Sequence, residues 1–288
     1  MSDSLAPSEI VAKLIDMGAA KSQHSISDLL IRGSLSGALL GFGASLALLV
    51  SAQTGVPFVG ALVFPVGFAI IIVLGLELLT SNFGIVPLAV LSHRATARQM
   101  VSNWTWVFIG NLIGSLTYAA LLYIVLTEAG HTTAGTLSDQ IRTLAEAKTL
   151  TYEPNGDGGL LTAFVKAILC NWMVCLGMIL GNASTSMTGR ILGCWLPIFA
   201  FFTMGFEHSV VNLFVIPLGM ALGAKISFYD WWYWNEIPAL LGNLVGGFAT
   251  AFALYTTYKP RLPDRQGSAV THHPAMSFGK APLTGRQP

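Results

Sequence analysis

In Gly205-Phe206-Glu207-His208-Ser209, followed by Asn212 and Pro217, a carboxylate and an imidazole stand side by side in a stretch that is otherwise apolar. An ionisable side chain is costly to bury, and inside a membrane segment it marks by default a path for solute or protons. Histidine suits proton exchange there, because its ordinary pKa of about 6.5 is moved across neutrality by small changes of environment.

The same pattern occurs earlier. Gly75-Leu76-Glu77, Asn82 and Pro87-Leu88 match Gly205-Phe206-Glu207, Asn212 and Pro217-Leu218 at a constant offset, and Gly110-Asn111-Leu112-Ile113-Gly114 with Tyr123 recurs as Gly242-Asn243-Leu244-Val245-Gly246 with Tyr255.

The composition says what solvent these elements meet. Of 288 residues 53% are hydrophobic and 10% charged, and the mean hydropathy is +0.64, outside the range of soluble domains. A net charge of +1 without a basic stripe excludes a nucleic-acid binder. Cys170, Cys175 and Cys194 lie in or beside apolar runs and read as packing residues rather than disulfide or metal ligands.

Since about 20 apolar residues span the hydrocarbon, six crossings are expected, near 29–52, 57–91, 103–127, 160–182, 191–221 and 237–258. The second and fifth are too long for one straight rod and carry glycine and polar residues centrally, so both are expected to be broken. Three crossings per half, an odd number, insert the second half upside down, which predicts an inverted 3+3 repeat: 29–127, then an outer loop 128–159, then 160–258. Of the 15 lysines and arginines, only Arg142, Lys148 and Lys225 fall on the outer side, with Lys166 at the start of the fourth span, so both termini are expected in the cytoplasm. Residues 1–28 are expected to include an amphipathic helix along the inner surface, with Ile10, Leu14, Met17 and Gly18 on one face. The loop 128–159 reads as solvated and mildly acidic, the Tyr229–Trp234 cluster as an interfacial belt, and the tail 259–288 as disordered.

Backbone groups freed by the two breaks cannot face lipid and must be buried or line a cavity. Helix N-termini there favour an anion. Arg32 and Lys166, at matching places in the first and fourth spans, would gather anions at either mouth; snorkelling to the interface is the alternative for each. Glu77 and Glu207 are expected to accept hydrogen bonds from the freed amides. Asn82 and Asn212 are expected to support the breaks, and Asn111 and Asn243 to join helices. His24 reads as a surface residue without a role.

The runs Phe64–Asn82, Lys166–Leu176 and Gly205–Gly219 resemble the signature regions of the formate/nitrite transporter family, over residues 8 to 258. The resemblance implies an all-α, aquaporin-like protomer in the cell's inner membrane, assembled as a homopentamer with a pore in each subunit. It implies small monovalent weak-acid anions as substrates, formate first, with nitrite, hydrosulfide, acetate or lactate as others. His208 would be the central pore histidine, accompanied by Thr80 and Asn171. Phe64, Phe68 and Leu79 would form the cytoplasmic constriction, and Phe201 with Val174 the periplasmic one. Leu79 stands where formate channels commonly have phenylalanine, which leaves the size cut-off and the preferred anion open. The residue-level expectation is that His208, oriented by Thr80 and Asn171, donates a hydrogen bond or a proton to the permeating anion. The bilayer and protons are the other partners; no cofactor or metal is expected.

Other classes fit less well. No Asn-Pro-Ala triplet occurs, although a neutral-solute pore of aquaporin type remains the alternative. Neither a His-Glu-x-x-His nor a Gly-x-Ser-x-Gly sequence supplies an enzyme's machinery, and there is no nucleotide-binding loop for a primary pump.

Overall fold

The computed structural model describes residues 4–132 and 135–258; the tail expected to be disordered lies outside them. The described chain is helical. In order it forms α1 (Pro7–Lys21), α2 (Ile26–Thr54), α3 (Pro57–Val63), α4 (Pro65–Leu74), α5 (Leu79–Leu91), α6 (Ala97–Thr127), α7 (Thr136–Thr149), α8 (Gly156–Ala183), α9 (Met187–Thr203), α10 (Ser209–Ala221) and α11 (Ile237–Thr257). A single 3-10 turn, Glu153–Asn155, precedes α8, and a π-helical stretch, Asp230–Glu236, leads into α11.

Five stretches among the described residues are long and apolar enough to cross a membrane: Ile26–Thr54, Pro57–Leu91, Ala97–Thr127, Thr136–Ala183 and Asp230–Thr257. Two shorter apolar helices, α9 and α10, occupy the residues of the other expected span.

The helices stop where the backbone is turned. Gly75 and Gly205 both have φ +63°, a left-handed conformation that a side chain disfavours. In each case the glycine N–H and the next N–H return to carbonyls of the preceding helix: Gly75 to Ile72 and Leu76 to Ile71, Gly205 to Phe202 and Phe206 to Phe201. Those paired bonds close α4 and α9 in the manner of a Schellman cap. Extended residues then carry the chain to α5 and α10, whose N-caps are Leu78 and His208. Proline adds a second discontinuity at Phe64-Pro65, between α3 and α4.

Long helices pack in pairs, α2 against α6 and α8 against α11. At Gly114 a Cβ would stand 1.8 Å from the Ser34 carbonyl, so the α2 and α6 backbones touch there. The short amphipathic helices pair likewise, α1 against α5 and α7 against α10.

The segment expected as a solvated loop is therefore different. Within it α7 buries Ile141, Ala145, Lys148 and Thr149, residues at helical spacing whose common face lies on α10. Trp231, in the aromatic cluster expected as an interfacial belt, is only 6% exposed.

Candidate functional site

Two buried clusters flank the breaks, built from equivalent residues. Beside the first break, Lys21 at the end of α1 donates to Glu77 at 2.7 Å and to the Leu76 carbonyl at 3.2 Å. Asn82 donates to the same carboxylate at 2.7 Å and to Asn103 at 2.9 Å, while Asn103 donates to the Lys21 carbonyl at 3.0 Å. Beside the second break, Lys148 of α7 donates to Glu207 at 2.9 Å. Asn212 donates to Glu207 and to Asn235 at 2.9 and 2.8 Å, and Asn235 donates to the Lys148 carbonyl at 2.7 Å. Each carboxylate is 0–1% exposed and meets a cation, as a buried charge must.

Third partners differ between the clusters. Tyr152 donates its hydroxyl to Glu207 at 2.7 Å, whereas His24, three-quarters buried, holds Nε2 3.7 Å from Glu77. Expected to be a bare surface residue, His24 thus lies against a buried carboxylate. Burial holds its pKa below the usual histidine value, with Glu77 pulling the other way.

The freed amides go elsewhere than expected. Leu79 N–H donates to the Asn111 side chain at 3.0 Å, and Ser209 N–H to that of Asn243 at 2.9 Å. Asn111 donates in turn to the carbonyls of Gly33 and Glu77, and Asn243 to those of Ala167 and Glu207. An amide side chain, acceptor and donor at once, can hold both sides of a break; a carboxylate only accepts. Glu77 and Glu207 are occupied by lysine and asparagine instead.

His208 lies between the breaks, 2% exposed. Its Nε2 is 3.0 Å from Thr80 Oγ1, and its Nδ1 accepts the N–H of Val211 at 3.2 Å as the α10 cap. A nitrogen that accepts carries no proton, so the neutral ring bears hydrogen on Nε2 and donates it to Thr80. Asn171, expected to help orient the ring, donates instead to the Asn243 carbonyl at 2.6 Å, and its Oδ1 is buried without a hydrogen bond. The cap of α10 does the orienting: Val211 fixes the tautomer.

A cavity of about 670 Å³ on the α7 side ends at His208, with Lys148, Phe201, Phe202, Phe206 and Val211 in its wall. Phe201 stacks on the imidazole with ring centroids 5.5 Å apart. Phe64 packs edge-on to Phe201 at 5.6 Å and face-on to Phe202 at 4.0 Å. Phe64, expected beside Phe68 and Leu79, thus packs directly against the rings of Phe201 and Phe202. Phe68, Leu79 and Val174 are buried, 0–2% exposed.

The cation in this wall is Lys148, which sequence reasoning had put in solvent. Lys166 donates instead to the Tyr152 hydroxyl at 3.3 Å and lies over its ring, and Arg32 is half-buried near the start of α2. Lys21 and Lys148 could have been found as lone basic residues ending two amphipathic stretches, each ahead of a glutamate beside a break.

The fold and this site define a multi-pass membrane protein whose interrupted helices enclose one imidazole. The formate/nitrite transporter family matches residues 8–257, and the chain belongs to that family. A probable formate transporter from Methanothermobacter thermautotrophicus is 35% identical over 267 residues, covering 87% of this chain and 95% of the relative. Two solved structures share the fold at 23% identity: an FNT family ion channel (TM-score 0.75, 86% of this chain and 98% of the other) and a pentameric formate channel with formate bound (0.68, 81% and 97%). The relatives are named as transporters and channels, not enzymes.

Proposed function

We propose that the chain conducts small monovalent anions of weak acids, formate foremost, across the inner membrane, with proton exchange at His208. In this reading six crossings form two inverted halves, each opened by an amphipathic helix, α1 or α7, that brings a lysine to a break. Both termini are cytoplasmic, and five copies assemble with a pore in each. Formate and the pentamer follow from the names of similar proteins. The 35% identity over nearly the whole chain supports the first more strongly than the fold likeness supports the second.

The observation that carries the reading is the His208–Thr80 contact of 3.0 Å at the floor of a cavity whose wall holds Lys148. Lys148 draws an anion in. Beyond it lie Phe201 and Phe64, where a bare carboxylate would lose its hydration at high cost unless neutralised. The Nε2–H of His208 and the Thr80 hydroxyl offer the hydrogen-bond donors that the anion then needs. For a proton to pass on through Nε2, Nδ1 must take up another and give up the Val211 N–H. Proton delivery therefore costs the α10 cap about 1 kcal/mol, and hydrogen-bond donation alone costs nothing. Phe64, Phe68, Leu79, Val174 and Phe201 exclude larger solutes, while Arg32 and Lys166 add positive potential at the two mouths.

The test uses liposomes containing the protein, assayed for formate, nitrite, lactate and glycerol flux with a pH indicator outside. Formate uptake with external alkalinisation, lost in His208→Ala, is the expected result. Formate current without proton movement overturns the proton exchange, and glycerol flux without anion flux replaces the reading with a neutral-solute channel.

A further inference from the structure

One buried carboxyl has no counterpart in the first half and no use in the mechanism above. Glu236, the last residue of the π-helical stretch before α11, is 0% exposed. One of its oxygens accepts the Ser209 hydroxyl, and Ser209 adjoins His208. Beside the carboxyl stands the indole N–H of Trp231, a neutral donor from the same stretch. At the equivalent place in the first half stands Trp104, a neutral ring that donates to the Asn82 carbonyl at 3.2 Å and packs edge-on against Phe83.

Charge counting gives the difference its meaning. Lys21 balances Glu77, and Lys148 balances Glu207. Among the described residues Glu236 forms no salt bridge, so any charge it carries is unbalanced. The groups that act on it are Lys148 from α7, Glu207 from the break, Ser209 at the start of α10 and Trp231 from its own stretch. Asp230, at the start of its own stretch, is engaged by Ser227. Of these charges, Lys148 and Glu207 act on Glu236 directly, one attracting and one repelling its ionised form.

We propose that Glu236 is a specificity-determining residue that throttles anion passage by its own protonation. With a proton taken from water on the α7 side, the carboxyl is neutral and the mouth is balanced. Without that proton, a unit negative charge stands behind Ser209 and opposes any anion approaching His208. A charge on the order of 10 Å away, at an effective dielectric constant of about 20, lowers anion occupancy roughly tenfold. The inference rests on the anion-conduction reading.

The test compares formate uptake into liposomes across external pH for the unsubstituted protein, Glu236→Gln and Glu236→Leu, alongside pH-difference infrared spectra of the purified unsubstituted and Gln proteins. The expected result is equal flux at the acid end and roughly tenfold more flux in both variants at the alkaline end, with a carboxylic-acid carbonyl band that titrates in the unsubstituted protein and is missing from Glu236→Gln. Strong flux with superimposed pH profiles overturns this inference alone, as does a titrating band that persists in Glu236→Gln. Absence of formate flux in all three proteins, the unsubstituted one included, overturns the conduction reading and this inference with it.

Discussion

Replacing Lys148 by methionine keeps the length of the side chain and removes its charge, which leaves Glu207 buried with only neutral partners. Those partners are the Tyr152 hydroxyl at 2.7 Å and the side-chain amides of Asn212 and Asn235 at 2.9 and 3.0 Å. Breaking a buried ion pair costs about 3–5 kcal/mol. Three surviving donors, each contributing about 1 kcal/mol, hold the loss for Lys148→Met near the low end, about 3 kcal/mol. Glu207→Gln alone strands the lysine, which is 9% exposed and closer to solvent, and should cost about 2 kcal/mol. In the double variant neither charge is stranded, so its loss should fall below the sum of the singles by about 2 kcal/mol. Flux should follow charge: Lys148→Met turns the α7-side mouth negative and lowers formate uptake several-fold, and the double variant recovers most of it. The assays are thermal unfolding of the purified protein and liposome uptake for all four members of the cycle. Strictly additive stability losses, or a double variant as slow as Lys148→Met, would refute the claim that this pair both anchors α7 and sets the charge of the mouth.

Two further outcomes follow from the backbone and from burial. Gly205→Ala meets no atom within 4 Å of its new Cβ, so its cost is the left-handed backbone alone, about 1–2 kcal/mol, read as a lower unfolding midpoint; an unchanged midpoint would mean that φ relaxes freely there. For His24 the pKa is lowered by burial, so the unfolded chain binds the proton more readily than the folded one. Its stabilisation is fully present above the unfolded value of about 6.5 and is lost as pH falls below it. The unfolding midpoint should therefore drop on acidification more steeply in the unsubstituted protein than in His24→Gln, and equal slopes would contradict that assignment.

Much of the architecture was legible in the chain. Hydropathy and the spaced Gly-Glu-Asn-Pro pattern located both breaks, because a lipid solvent and a left-handed turn impose residue types locally, within a few positions. Asn111 and Asn243 are legible as helix joiners, and they are, but their capping of the break in their own half depends on how α6 and α11 pack beside it and has no local signature. The amphipathic face of α7 was present in its residues. It was read as loop because its charges suit solvent as well as they suit a buried partner.

Composition, periodicity and repetition by themselves determined that this is a membrane protein with two interrupted helices and a single histidine beside one of them. Those features report the solvent and the backbone, which each residue meets where it stands. The tertiary structure alone decided that Glu77 and Glu207 are met by Lys21 and Lys148, 56 and 59 residues away in the chain. It decided too that Phe64 stacks with Phe202, that Val211 fixes the tautomer of His208, and that Glu236 forms no salt bridge among the described residues. A buried charge is satisfied by whatever packing brings within about 3 Å, and no spacing along the chain records that distance.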